Sequence, residues 1–106
     1  MKAVEFVKYH GWKCVEDIVE KYGDSHTHVT NDARMFIHKD AYSSYAPHFK
    51  QTLDTAIKMS DLKTLVEAKD WIDLCGGLGD AKALAVVHND KELQKAIKLV
   101  ESVENA

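Results

Sequence analysis

The sequence has little that staples or punctuates a chain: two cysteines, one proline and five glycines in 106 residues. So little proline and glycine excludes collagen-like and low-complexity disordered chains. Cys14 and Cys75 are too few for a disulfide-dense mini-protein. They read first as two buried thiols in a reducing compartment, with a disulfide or a reactive or metal-binding thiol as alternatives; the chain is placed in the cytoplasm. Long apolar runs are missing, and none approaches the roughly 20 residues that a membrane span needs. Lys2, Glu5 and Lys8 break up the opening segment, which leaves no apolar core for a signal peptide. An excess of base is missing too: 14 Lys+Arg stand against 17 Asp+Glu, a net charge of −3. The surplus of acid lies after residue 53. Proteins that live on phosphate contacts usually show a basic stripe, so the balance argues against nucleic acid as partner.

What is present suits one globular domain, residues 1–106, with no linker and no second core: 45% of residues are hydrophobic and 29% charged. Ala3, Val4 and Val7 share a helix face that Gly11 interrupts. Trp12, Val15, Ile18, Val19 and Tyr22 recur at steps of three and four, which predicts a second helix from Trp12 to Tyr22 with Gly23 as a left-handed cap. Between Asp24 and Tyr45 the helical period disappears. β-Branched and aromatic residues gather instead on both sides of Asn31-Asp32, which predicts a hairpin over residues 26–38. With a two-residue turn, Val29 faces Arg34 and Thr27 faces Phe36, while His26 and His28 share a face with Met35 and Ile37. A third strand would come from Tyr42–Tyr45.

Helical spacing returns at Phe49, Leu53, Ala56 and Ile57. The next helix, capped by Ser60 or Asp61, would bury Leu65, Ala68, Trp71, Ile72 and Cys75 and stop at Gly76-Gly77. Asp80 opens a short helix with Ala81, Leu84, Ala85 and His88 in one stripe. Asn89 caps the last helix with Glu92 three positions on, and Leu93, Ala96, Ile97, Val100 and Val103 form its buried face. The expected architecture is α+β: a predominantly helical domain of about five to six helices with a small inserted β-hairpin.

Four stretches carry a resemblance: Ala3–Trp12, Asp61–Glu67, Cys75–Lys82 and Leu93–Glu101. Together they resemble parts of small accessory proteins encoded by tailed phages and prophages of enteric bacteria. The likeness covers about half the chain, and its residues are helix faces, a tryptophan anchor and a glycine stop. It implies a genome context, and brings with it no activity, ligand or site residue.

Of the groups that could carry chemistry, the six histidines come first. His26 and His28, two apart on a strand, would reach a common ion from one face. A metal would need two more ligands from His48, His38, Cys14 or Asp24, and no CxxC or HExxH spacing is present. Solvated imidazoles on a strand edge are the plainer reading, so no metal and no cofactor are expected. Gly76-Gly77-Leu78-Gly79-Asp80 could offer backbone N–H groups to a phosphate, but it leaves a helix rather than a strand, and Asp80 brings a negative charge. Residues 62–88 have the lengths of a helix-turn-helix, yet the second helix offers one lysine, Lys82, while Leu84, Ala85, Val86 and Val87 look like packing. Glu16-Asp17 and Asp70/Asp73 lack the apolar pocket that acid–base tuning needs, and no catalytic signature is found. Tyr42, Tyr45 and Phe49 look more like contact residues.

The expectation is a non-enzymatic domain that binds a host or phage protein, identity open, through Tyr42, Tyr45, Phe49 and the acids Glu67, Asp70 and Asp73. The alternative is a helix-turn-helix DNA-binding regulator using residues 62–88, and third comes a metal or enzymatic role at His26 and His28. No membrane is involved, and a homodimer stays open.

Overall fold

The period change at Asp24 marks the passage from helix to sheet. The computed structural model describes residues 2–38 and 54–104, and its fold is α+β and predominantly helical. Contacts gather the chain into two compact units, Met1–Lys63 and Thr64–Ala106.

The first unit opens with α1 (Ala3–His10) and α2 (Trp12–Tyr22), which bury Phe6, Val7, Val15 and Ile18. Gly11 separates them at φ +88°, and its N–H still donates to the Val7 carbonyl. Gly23 corrects the expected left-handed cap, for its backbone is right-handed (φ −60°, ψ −32°). Glycine suits this position for lack of space instead. A Cβ here would run into the Val19 carbonyl oxygen and sit 3.0 Å from Lys63 Cε.

Three strands follow: β1 (His26–Val29), β2 (Phe36–His38) and β3 (Ile57–Lys58), antiparallel in the order β2-β1-β3. The hairpin stands where its composition predicts it, but its register differs. Val29 lies opposite Phe36, His28 opposite Ile37 and His26 opposite His38. The two-residue turn is replaced by a wider one. Thr30 and Met35 close it backbone to backbone, Ala33 enters the left-handed region at φ +61°, and Asp32 Oδ1 accepts from the Thr30 hydroxyl (2.6 Å) and the Arg34 N–H (3.1 Å). Asp32 therefore organises the turn as an acceptor. The third strand contains Ile57, assigned above to a helix. Ile57 pairs with Val29 and is buried; the proposed Tyr42–Tyr45 strand lies outside the described residues.

α3 (Met59–Leu74) starts in the first unit, where Met59 and Leu62 are buried, and ends in the second. In the second unit it is followed by α4 (Leu78–His88) and α5 (Lys91–Glu104). Gly76 and Gly77, at φ +100° and +111°, stop α3 where the sequence predicts. α4 begins two residues before Asp80, which sits in its first turn. Asn89 is the left-handed C-cap of α4 (φ +50°) and not the cap of α5. That role falls to Asp90, whose Oδ1 accepts from the N–H groups of Glu92 (3.1 Å) and Leu93 (3.2 Å). α5 buries Leu93, Ala96, Ile97, Val100 and Val103, the five residues its spacing selects.

Candidate functional site

Two surfaces bring chemically able side chains together, one in each unit. The first is a face of the sheet. Between the His26 and His28 pairings, β1 spends one residue more than β2, so Thr27 is the extra residue of a bulge. Strand alternation is thereby reset. His26 joins Val29, Phe36 and His38 on one face, whereas His28 goes with Ile37 and Lys58 on the other. The expectation that His26 and His28 address a common ion is corrected by this bulge.

On the His26 face the rings are packed together. Tyr22, the last residue of α2, stacks on Phe36 at 4.0 Å and meets His26 edge-on at 5.1 Å. His26 and His38 face one another across the strands, centroids 5.2 Å apart and planes at 81°. The Ser25 hydroxyl lies 2.7 Å from His26 Nδ1. Among the described residues no carboxylate forms an ion pair with His26, so this serine–histidine contact lacks the third member that orients a catalytic base. On the opposite face, burial first and the Lys58 ammonium second hold the His28 imidazole below its ordinary pKa. A further histidine, His10, donates from Nε2 to the Asn31 carbonyl at 2.8 Å and so ties the end of α1 to the hairpin turn.

The second surface belongs to α3. Glu67, Asp70, Trp71 and Leu74 recur at steps of three and four and form one exposed stripe. Leu74 is 86% exposed and Trp71 38%, although Trp71 is expected above in the core. Ile72, expected in the core beside it, is the one of the two that is buried. Asp73 stands apart from the stripe: Lys69 Nζ lies 3.0 Å from its Oδ1 and 3.4 Å from Glu104 Oε1. Those two carboxylates, Asp73 first, raise the Lys69 pKa. Of the predicted contact residues, then, Glu67 and Asp70 share a surface, Asp73 is held in an ion pair, and Tyr42, Tyr45 and Phe49 lie outside the described residues.

The other proposals fare differently. In the glycine turn, a Cβ on Gly76 would collide with the Asp80 carboxylate, so an acidic side chain occupies the place a phosphate would take. On α4 only Ala81 and Ala85 are buried. Val86 and Val87, expected to pack, are 80% and 76% exposed, and Lys82 Nζ lies 3.0 Å from Glu101 Oε1. Cys14 and Cys75 are free thiols, and among the described residues no three His, Cys, Asp or Glu side chains converge on a point. No described helix is long and apolar enough to cross a membrane.

Compared with protein-family models, curated proteins and solved structures, the chain matches none.

Proposed function

We propose that this chain is a protein-binding module, and that its partner seats an apolar segment flanked by Lys or Arg on the α3 stripe. The observation that carries this reading is the exposure of Trp71 and Leu74 beside Glu67 and Asp70. Large apolar side chains set in a charged rim are the usual anatomy of an interface, and an aromatic anchor near its centre supplies much of the binding energy. These two exposed carboxylates attract a basic partner and set its orientation more than its affinity. Exposed Val86 and Val87 on α4 add apolar surface to the same unit. The resemblance to phage and prophage accessory proteins supports a host or phage protein as partner and the bacterial cytoplasm as the place. Supply of contacts favours protein over DNA: the one lysine of α4 is engaged by Glu101, and valines occupy its exposed side.

The test compares what the tagged wild-type chain retains from an enteric bacterial lysate with what two variants retain, at low and at high salt. Leu74→Asp with Trp71→Ala removes the anchors, and Glu67→Lys with Asp70→Lys reverses the charge. Circular dichroism confirms that each is folded. The reading expects a stoichiometric protein lost from the first variant at both salts and from the second mainly at low salt. A partner held equally by all three chains overturns it, as does recovery of nucleic acid alone that washes off at high salt.

A further inference from the structure

The His26–His38 pair is independent of the α3 stripe and has a chemistry of its own. The β1–β2 register sets the two residues directly opposite, on the face where Tyr22 and Phe36 pack beside His26. Their ring centres stand 5.2 Å apart with planes nearly perpendicular. Two imidazoles that share one zinc ion, each at about 2.1 Å and at a tetrahedral angle, place their ring centres about 5 Å apart. The centroid spacing of the pair therefore matches that of two imidazoles on one ion. The surroundings fit as well. A ligating histidine normally passes its second ring N–H to an oxygen that fixes the tautomer. The Ser25 hydroxyl lies 2.7 Å from His26 Nδ1; in the tautomer where Nδ1–H donates to it, Nε2 keeps its lone pair for the metal. His38 likewise has two ring nitrogens, so a hydrogen bond at one leaves the lone pair of the other for a metal.

We propose that His26 and His38 form a two-histidine site for a borderline divalent metal ion, zinc or copper in kind, that bridges β1 and β2. No third His, Cys, Asp or Glu joins them among the described residues, and water can fill the remaining coordination positions. Two neutral nitrogens and water suit zinc, nickel and copper(II), with copper(II) held tightest, and suit calcium and magnesium poorly. Lys58 and His28 project from the opposite face. Because the ion joins two strands of the folded hairpin, its binding stabilises that hairpin against the unfolded chain.

The experiment uses the full chain at neutral pH with Zn²⁺ alone, followed by calorimetry and by the thermal midpoint, and Mg²⁺ as control. The expected result is one zinc per chain, a midpoint raised by several degrees and no response to Mg²⁺. His26→Gln and His38→Gln should each weaken zinc at least tenfold, whereas His28→Gln should leave it unchanged. Circular dichroism verifies that the variants are folded. Electron paramagnetic resonance of the Cu²⁺ form should show two imidazole nitrogens in the wild type and fewer in either ligand variant. Absence of zinc binding at millimolar concentration overturns the site. So does a stoichiometry that falls with His28→Gln, or a Cu²⁺ spectrum that neither His26→Gln nor His38→Gln alters.

Discussion

His26 and His28 lie two positions apart in β1 and on opposite faces of the sheet, because Thr27 between them is bulged. Thr27 supports the bulge through its side chain: its Oγ1 donates to the Ile37 carbonyl at 3.5 Å and lies 2.9 Å from His28 Nδ1. The separation gives the two imidazoles different electrostatic surroundings. His28 is partly buried beside Lys58, and both effects disfavour its cation. Above about pH 6.5, the ordinary histidine value, the imidazole is neutral folded and unfolded, and it adds no pH dependence. As pH falls from there to the lower folded-state value, the unfolded chain binds more protons and stability drops. Denaturant unfolding between pH 7.5 and 5 should therefore show a loss that His28→Gln reduces. An unchanged slope in that variant would remove His28 as its source.

Asp32 works in the other sense and in a lower window. The Thr30 hydroxyl and the Arg34 N–H both donate to its carboxylate and hold its pKa below the ordinary value. Stability from this turn is fully present above about pH 4 and is lost as pH falls through the depressed folded-state value. Asp32→Ala removes the acceptor and should destabilise the hairpin at neutral pH, with Asp32→Asn intermediate because it keeps one carbonyl oxygen. Amide hydrogen exchange reads this locally: faster exchange at Thr30 and Met35 in both variants is the expected outcome, and wild-type rates would exclude the role given to Asp32.

Helices with a clean apolar stripe were legible from spacing alone. α5 shows why: of its six apolar residues, Leu93, Ala96, Ile97, Val100 and Val103 fall on one face and are buried, and only Leu99 stands outside the buried set. α3 was legible in extent but not in orientation. Apolar residues occupy positions 59, 62, 65, 66, 68, 71, 72 and 74, more than one face can take, so spacing could not choose between Trp71 and Ile72. On α4 the apolar residues run all round, and which of them are buried depends on tertiary packing. The hairpin was legible as composition, while its face assignment was not. A single bulge reverses every side chain beyond it, and nothing in His26-Thr27-His28 marks the bulge in advance. The cross-strand approach of His26 and His38, and with it the metal site proposed above, follows from that one unannounced residue.

Lys69 joins the end of α3 to the end of α5 through Asp73 and Glu104. Its side chain is mostly covered, at 21% exposure, so solvent screens these pairs less than it does the exposed Lys13–Asp17 pair. Lys69→Ala should lower stability by about 0.5–1 kcal/mol, part of it from the lost cover of the aliphatic stem. Glu104→Gln should cost less, since Asp73 still holds the ammonium. High salt should narrow the gap between wild type and Lys69→Ala in denaturant unfolding, and a salt-independent gap would assign the effect to packing alone.

Gly23→Ala sets two opposed effects against each other. Its backbone is right-handed, where alanine is comfortable, and the loss of unfolded-state freedom would by itself stabilise by about 0.4–1 kcal/mol. Against this, the new methyl would collide with the Val19 carbonyl oxygen, which already accepts the Gly23 N–H at 2.9 Å, and it would press on Lys63 Cε at 3.0 Å. The lysine stem can move aside. The carbonyl belongs to the last turn of α2 and moves only if that turn opens, which displaces Tyr22 from Phe36 and His26. Overpacking against backbone costs about 1–3 kcal/mol, so the clash outweighs the entropy and the variant should be less stable than wild type. Thermal unfolding gives the sign directly: a lower midpoint is expected, and a raised one would mean that the α2 terminus yields without cost and that space at Gly23 does not constrain the fold.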